Sequence, residues 1–413
     1  MGDCGPGLIS TARSPGIAHV ILFDFVLRKY SIKNEDEHDD EDYCQERNWM
    51  TQLMVDISRQ PEELSRLIAH AFGNGKDTYE HAMRLIEEAD HLYITGIGSS
   101  WHAGMAIQTV LHSGGRPACL LDASEFLHFN TLAAHSVVIV LSRSGKSIEI
   151  VNLLAKAKDA GAKIISITNT PDSPLAENAD VVFNLGAPFD HCVSALMYSG
   201  LALVGGLLAS YTLDNLNGSL GRSLQESVLA VKEYLPSWVQ QIGSSTWFDD
   251  TAPYYFLARG ASLASCHEAR LVWEEAVKLP ATAMTTSGFR HGPQEVIVEG
   301  FRFGLWIDSQ RMRDQDLALA ADIRKLGGKL LVIGQDLSRN DGDLVLSLPN
   351  IEPGWQFLID IIPAQLAGEY FSRLRGVDCD SFRICSYIVE SEGGLLESQA
   401  PGRHSLPGIL PHG

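Results

Sequence analysis

Six residues, Ser142-Arg143-Ser144-Gly145-Lys146-Ser147, put three hydroxyls, two cations and a glycine directly after the apolar run Val137-Val138-Ile139-Val140-Leu141. Hydroxyls and free backbone N–H groups donate hydrogen bonds, and a helix starting here adds the positive end of its dipole. The chemistry on offer is the holding of an anion. Gly145 lets the backbone approach such a ligand closely. The spacing is not that of a Walker loop. The competing reading is that Ser144 or Ser147 merely caps the helix. A second loop, Gly96-Ile97-Gly98-Ser99-Ser100, follows another β-rich run, Leu92-Tyr93-Ile94-Thr95. It misses the dinucleotide fingerprint, because Trp101 stands where a third glycine is required. Ser99 and Ser100 therefore enter either the same crevice or a helix cap. Two more residues have useful chemistry. Glu275, in Trp273-Glu274-Glu275-Ala276, is a carboxylate able to alternate as base and acid. Its bland alternative is a solvated helix carboxylate, for which the adjacent Glu274 is well suited. Neighbouring helical residues point about 100° apart, so the two do not share a role. His291 lies between Arg290 and Gly292-Pro293, which places it in a turn and not on an apolar face.

The elements around these residues alternate strand, turn and helix. Each loop ends a β-rich run and opens a helical stretch, to His112 in one case and Ala160 in the other, and Lys163 to Thr168 forms the next strand. Continuous apolar runs are expected of strands buried on both faces of a parallel sheet. In such sheets ligands settle at the carboxyl ends of strands. The scheme then recurs. Tyr254-Tyr255-Phe256-Leu257-Ala258 leads into Arg259-Gly260-Ala261-Ser262, and Phe303-Gly304-Leu305-Trp306-Ile307 leads into Asp308-Ser309-Gln310-Arg311. Gly98 and Gly260 are 162 positions apart, Gly161 and Gly327 are 166 apart, and the echoes keep their order. This reads as an internal duplication of one α/β module, joined by a helical stretch from about Val193 to Gln241. The second copy has Asp308 where the first has Ser142, so one phosphate site per chain is expected, in the first module.

Composition narrows the function classes. The 413 residues, 45% of them hydrophobic, suffice for two cores. A formal charge of −19 argues against a nucleic-acid partner, whose phosphates want a basic face. No apolar run reaches the roughly 18–20 residues that cross a bilayer, so no membrane association is expected. The stretch Gly16 to Leu27 is short, contains Asp24 and is not followed by a small-residue cleavage site. Seven scattered cysteines without a C-x-x-C pair read as reduced thiols of a cytoplasmic protein. The run Glu35-Asp36-Glu37-His38-Asp39-Asp40-Glu41-Asp42 reads as a solvated block. The expected layout is an acidic, disordered tail over 1–48, a first module over 49–240, a second over 241–395, and a tail over 396–413.

Taken together, Gly96 to Gly104, the Ser142–Ser147 loop and Gly288-Phe289-Arg290-His291-Gly292-Pro293 resemble the SIS (sugar isomerase) family. Met54 to Glu62, Ile362-Pro363-Ala364-Gln365-Leu366 and Gly376-Val377-Asp378-Cys379-Asp380 look like the isomerase half of glucosamine-6-phosphate synthase, and the Phe289-Arg290 variant also looks like amino-sugar-phosphate deaminases. The resemblance covers about residues 49–395. It implies two tandem, doubly wound, flavodoxin-like α/β modules with central parallel sheets flanked by helices. It implies that Ser100, Ser142, Ser144 and Ser147, with Ser99 and Arg143 beside them, bind a sugar phosphate, and that Ser194 touches the rest of the substrate. By the same resemblance Glu275 moves a proton between C1 and C2, and His291 helps open the sugar ring from the neighbouring chain of a homodimer with shared sites. No metal and no cofactor is implied.

The sequence departs from the synthase pattern. Val272 replaces a lysine three residues before the glutamate, and Arg383-Ile384-Cys385-Ser386-Tyr387-Ile388-Val389-Glu390 has none where the synthase forms a Schiff base. Cys4 does not open a glutaminase domain. The expectation is therefore an isomerase, deaminase or deglycase acting on a glucosamine 6-phosphate or fructose 6-phosphate type of substrate. The alternatives are a non-catalytic sugar-phosphate sensor, as in SIS-containing regulators, although no basic helix-turn-helix is visible, and a catalytically dead interaction protein.

Overall fold

The computed structural model describes residues 50–395. The acidic run at 35–42 and both expected tails lie outside the described residues.

Three helices, α1 (Gln52–Ser58), α2 (Gln60–Phe72) and α3 (Lys76–Glu88), precede the first sheet. Its strands are β1 (His91–Gly96), β2 (Cys119–Asp122), β3 (Ser136–Ser142), β4 (Lys163–Thr168) and β5 (Val181–Asn184). They are all parallel, in the order β2-β1-β3-β4-β5. Between them run α4 (Ser99–Ser113), α5 (Ala123–Phe129), α6 (Ile148–Asp159) and the short α7 (Pro174–Glu177). The second sheet holds β6 (Tyr254–Ala258), β7 (Ala281–Thr285), β8 (Arg302–Trp306), β9 (Lys329–Gly334) and β10 (Leu344–Ser347), in the order β10-β9-β8-β6-β7, again all parallel. Read from the β2 or β7 edge, both sheets have the flavodoxin-like order 2-1-3-4-5. Two tandem doubly wound modules are thus the observed architecture.

The physical reason is burial. All seven residues of β3 and all five of β8 are buried. Each aliphatic side chain taken fully out of water contributes about 1.5–3 kcal/mol, so these runs go to the middle of a sheet covered on both faces.

Two helices connect the modules, α8 (Leu196–Thr212) and α9 (Gly218–Gly243). Helix α8 is apolar all round and buried from Leu196 to Ser210. Its Gly205 sits so near α4 that an added Cβ would lie 2.0 Å from the Ile107 Cδ1 atom. The second module adds α10 (Ser262–Val272), which continues through a π-turn over Trp273–Val277, then α11 (Thr286–Arg290), α12 (Arg313–Lys325) and α13 (Ile362–Leu374). The two distant segments of the resemblance meet in the core. Gln60 Nε2 donates to Gln365 Oε1 at 2.7 Å, and Ser199 Oγ donates to Gln60 Oε1 at 2.6 Å. After α13 the chain returns to the start, where the Asp380 carboxylate accepts from the N–H groups of Gln52 and Leu53, at 2.7 and 2.9 Å. It then crosses the mouth between the modules.

No helix among the described residues is long and apolar enough to cross a membrane. The five cysteines among them are free thiols.

Candidate active site

Strands β1 and β3 are neighbours whose following helices lie on opposite faces, which opens a crevice at their carboxyl ends. A cavity of about 220 Å³ lies there, between the modules. Its floor is the two serine loops, with Ser99, Ser100, Ser142, Arg143, Ser144 and Ser147 all lining it. Its walls are Cys192 and Ser194 from the loop before α8, and Leu271 and Glu275 from α10 and its π-turn. Its roof is the C-terminal segment, from Phe382 to Val389. Every expected site residue except His291 is thus brought to one place.

The geometry of the floor suits an anion. Ser142 Oγ accepts from the Gly145 N–H at 3.0 Å, and Ser144 Oγ accepts from the Lys146 N–H at 3.3 Å. Both hydroxyls are buried and are oriented as acceptors toward their own loop, which leaves their protons for a ligand. Ser147 occupies the N-cap position of α6, yet its side chain makes no capping bond. The simple capping reading therefore fails for Ser147. Gly145 has φ +63°, and a Cβ there would lie 2.2 Å from Ser173 Oγ, so the turn demands glycine. Arg143 is held from two sides. Its guanidinium donates to the carbonyls of Cys192, at 3.4 Å, and Tyr387, at 3.0 Å, and lies 4.1 Å from the Tyr387 ring centroid. It supplies fixed positive charge to the cavity.

The wall holds the carboxylates. Glu274 pairs with Arg270 one turn earlier. Glu275, one residue on, faces the cavity. Burial, with Glu268 nearby as the next cause, pushes the Glu275 carboxyl up to about 7. A carboxylate poised there accepts and returns a proton near neutrality. The π-turn ends at Lys278, in the left-handed region at φ +57°, whose ammonium binds the carbonyls of Glu275 and Ser381. It thereby ties the carboxylate's backbone to the roof. Single-turn π-bulges recur at functional sites because they shift side chains off the ordinary helical phase.

His291 is exposed at the C-cap of α11 and does not line this cavity. The sequence reasoning overlooked Glu268 and His102. Glu268 Oε1 accepts from Ser99 Oγ at 2.8 Å, and Glu268 Oε2 lies 2.7 Å from His102 Nδ1. Burial raises the Glu268 carboxyl to about 8 and lowers the His102 imidazole to about 3. Glu268 stands seven residues before Glu275, two helical turns, and that spacing was the available signal. The roof residues Tyr387 and Val389 were also missed as contacts. The Val389 carbonyl accepts from the Ile148 N–H, the first of α6, at 3.0 Å.

Known proteins bear on this arrangement. The family model for the SIS domain matches residues 85–205. The isomerizing glutamine–fructose-6-phosphate aminotransferase of Shewanella oneidensis is 24% identical over 378 residues, covering 87% of this chain and 61% of the relative. The Clostridium tetani protein of the same name is 24% identical over 360 residues, covering 82% and 59%. The chain thus spans about three fifths of the length of the curated relatives it matches. Among solved structures, the C-terminal domain of glucosamine-fructose-6-phosphate aminotransferase from Francisella tularensis superposes with a TM-score of 0.72 at 22% identity, covering 82% of this chain and 99% of that one. Glucosamine-6-phosphate deaminase from Thermotoga maritima gives 0.68 at 19%, covering 82% and 99%. Tagatose-6-phosphate ketose/aldose isomerase from Escherichia coli gives 0.69 at 19%, covering 80% and 94%. These likenesses fix the fold.

Proposed function

We propose that this chain, whose residues 85–205 are a SIS domain, is a sugar-phosphate enzyme that moves a proton between C1 and C2 of a hexose 6-phosphate or its amino-substituted counterpart. The observation that carries the reading is the meeting of two groups from different modules. A loop of hydroxyls with unspent protons and a carboxylate held near 7 line one cavity. The loop holds the phosphate at the α6 N-terminus. The phosphate fixes the far end of the open-chain sugar, so that its first two carbons reach Glu275. Glu275 takes the proton from one carbon and returns it to the other through an enediol or enolamine. Where C2 carries an amine, protonation of the enolamine at C1 gives a C2 imine, which water hydrolyses to the ketose with release of ammonia.

His291 completes the site from a neighbouring chain in this reading, since it does not line the cavity of its own chain. Mixing Glu275→Gln chains with His291→Ala chains then restores about a quarter of wild-type activity on random pairing, because one of the two sites in each mixed dimer is intact. An active monomer in sedimentation overturns that part.

The deciding experiment screens hexose and hexosamine 6-phosphates for thermal stabilisation, then assays the hits for isomerisation and ammonia release. A ligand at 100 times its Kd adds about 2.7 kcal/mol of stability. Stabilisation without turnover favours the second reading, a sugar-phosphate sensor. One observation supports that reading: the roof over the cavity, Phe382 to Val389, contains no lysine. No stabilisation by any member of the panel overturns both.

A further inference from the structure

The serines of the cavity divide by where their protons go. Ser142 and Ser144 accept from loop N–H groups and keep their protons for the ligand. Ser99 does the opposite, donating its one proton to Glu268 Oε1 at 2.8 Å. A hydroxyl has a single proton, so a committed Ser99 faces the cavity only with lone pairs. Phosphate oxygens are acceptors and gain nothing from a second acceptor.

What commits Ser99 is a buried pair. Glu268 is 1% exposed and His102 3%. Burial disfavours the charged form of both groups, so Glu268 holds its proton on Oε2, pointing at the unprotonated Nδ1 of His102 at 2.7 Å. With the proton there, Oε1 is left as the acceptor for Ser99. The pair is sealed by Trp101 and His267, whose rings lie 5.8 Å from that of His102. The direction of the Ser99 hydroxyl is therefore set from behind, by groups that never reach the cavity.

We propose that Ser99 is not a phosphate contact but a specificity residue that accepts a hydrogen bond from a hydroxyl or amino group on the sugar carbons, with Glu268 and His102 as the positioning pair that makes it an acceptor. This rests on the reading of the cavity as a hexose-phosphate site and deepens it. It also revises the expectation for Ser99, which the sequence grouped with Ser100 and Ser142 as a phosphate donor.

Calorimetric titration of the full chain with fructose 6-phosphate and, separately, with inorganic phosphate tests the proposal. Ser99→Ala weakens fructose 6-phosphate by about tenfold, the cost of one hydrogen bond, and changes inorganic phosphate less than twofold. Ser99→Thr, which keeps the hydroxyl, restores the affinity. Glu268→Ala removes the acceptor, frees the Ser99 proton and produces a similar loss for the sugar alone. In the Ser99→Ala background Glu268→Ala has no further effect on sugar affinity, because the pair acts only through Ser99. A parallel fall for both probes in Ser99→Ala makes Ser99 a phosphate contact and overturns the proposal. So does unchanged sugar affinity in Ser99→Ala, or a full additive loss in the double variant. If Glu268→Ala fails to fold, the Ser99→Ala and Ser99→Thr pair decides alone. Wild-type protein that binds phosphate but not fructose 6-phosphate or any other hexose phosphate overturns the hexose-phosphate reading itself, and this inference with it.

Discussion

The two modules share strand order and loop geometry yet end their central strands in opposite ways. After β3, Ser142 and Ser144 line the cavity beside the N-terminus of α6, whose first N–H is taken by the Val389 carbonyl. After β8, the Asp308 carboxylate accepts from the N–H groups of Arg311 and Met312, at 2.7 and 2.8 Å, and fills the equivalent place. Its own N–H donates to Asp316, fully buried on α12, which pairs with Arg259 at 2.6 Å. Gly98 and Gly260 keep matching positive φ values of +56° and +59°, so the backbone turn survived while the side chains diverged. The first module turns its hydroxyls toward a cavity; the second places a carboxylate of its own chain there. Freed from binding, the second contributes the carboxylate wall and the roof.

The sharpest way to break this division is at Glu275. Glu275→Gln lowers turnover by about three decades, the worth of a positioned base, while sugar-phosphate binding in calorimetry is retained. Glu274→Gln, which loses only a surface pair with Arg270, changes turnover less than about threefold. Equal effects of the two substitutions would remove the second module from the chemistry. The pH profile goes with this. Base action requires ionised Glu275, so kcat falls as pH drops below about 7, and this limb disappears in the glutamine variant. Stability runs the other way. The carboxyl is raised above its ordinary range by burial, so its contribution is present in acid and is lost as pH rises through about 7.

Next in size is Asp316→Asn. It leaves Arg259 half satisfied and costs about 3 kcal/mol in denaturant unfolding, with affinity for sugar phosphate unchanged. The matched lesion in the first module, Ser144→Ala, does the reverse. It weakens sugar-phosphate binding by about 2 kcal/mol and shifts unfolding by less than about 0.5 kcal/mol. If both lesions act on stability alone, the first loop is structural and the comparison fails. The smallest effect is Asp308→Ala, the loss of the carboxylate that accepts from the Arg311 and Met312 N–H groups, at about 1 kcal/mol of stability. Inorganic phosphate binding gained by Asp308→Ser would show that only this carboxylate separates the two loops.

Much of this was legible in the chain. The central strands β3, β4, β6 and β8 read directly from their apolar runs, because burial on both faces imposes composition on every residue. The edge strands β2 and β7 did not, since their residues are only half buried and no strict pattern is selected. The serine loops were legible because hydroxyls and a glycine between a strand and a helix form a local pattern. Glu275 was legible through the resemblance, and its separation from Glu274 through helical geometry, although the π-turn that aims it was not.

What the sequence by itself determined was the duplication, the parallel α/β architecture and the loop able to hold an anion, all set by neighbours within one strand-loop-helix unit. Tertiary structure alone decided the rest. Ser99 meets Glu268 across 169 residues, His102 meets Glu268 across 166, and Arg143 meets Tyr387 across 244. The direction of a hydroxyl's one proton depends on which acceptor stands nearest in space, and no local pattern encodes that. Ser99 therefore spends its proton on Glu268 while Ser142 and Ser144 do not, and only the packing of the second module against the first makes that difference.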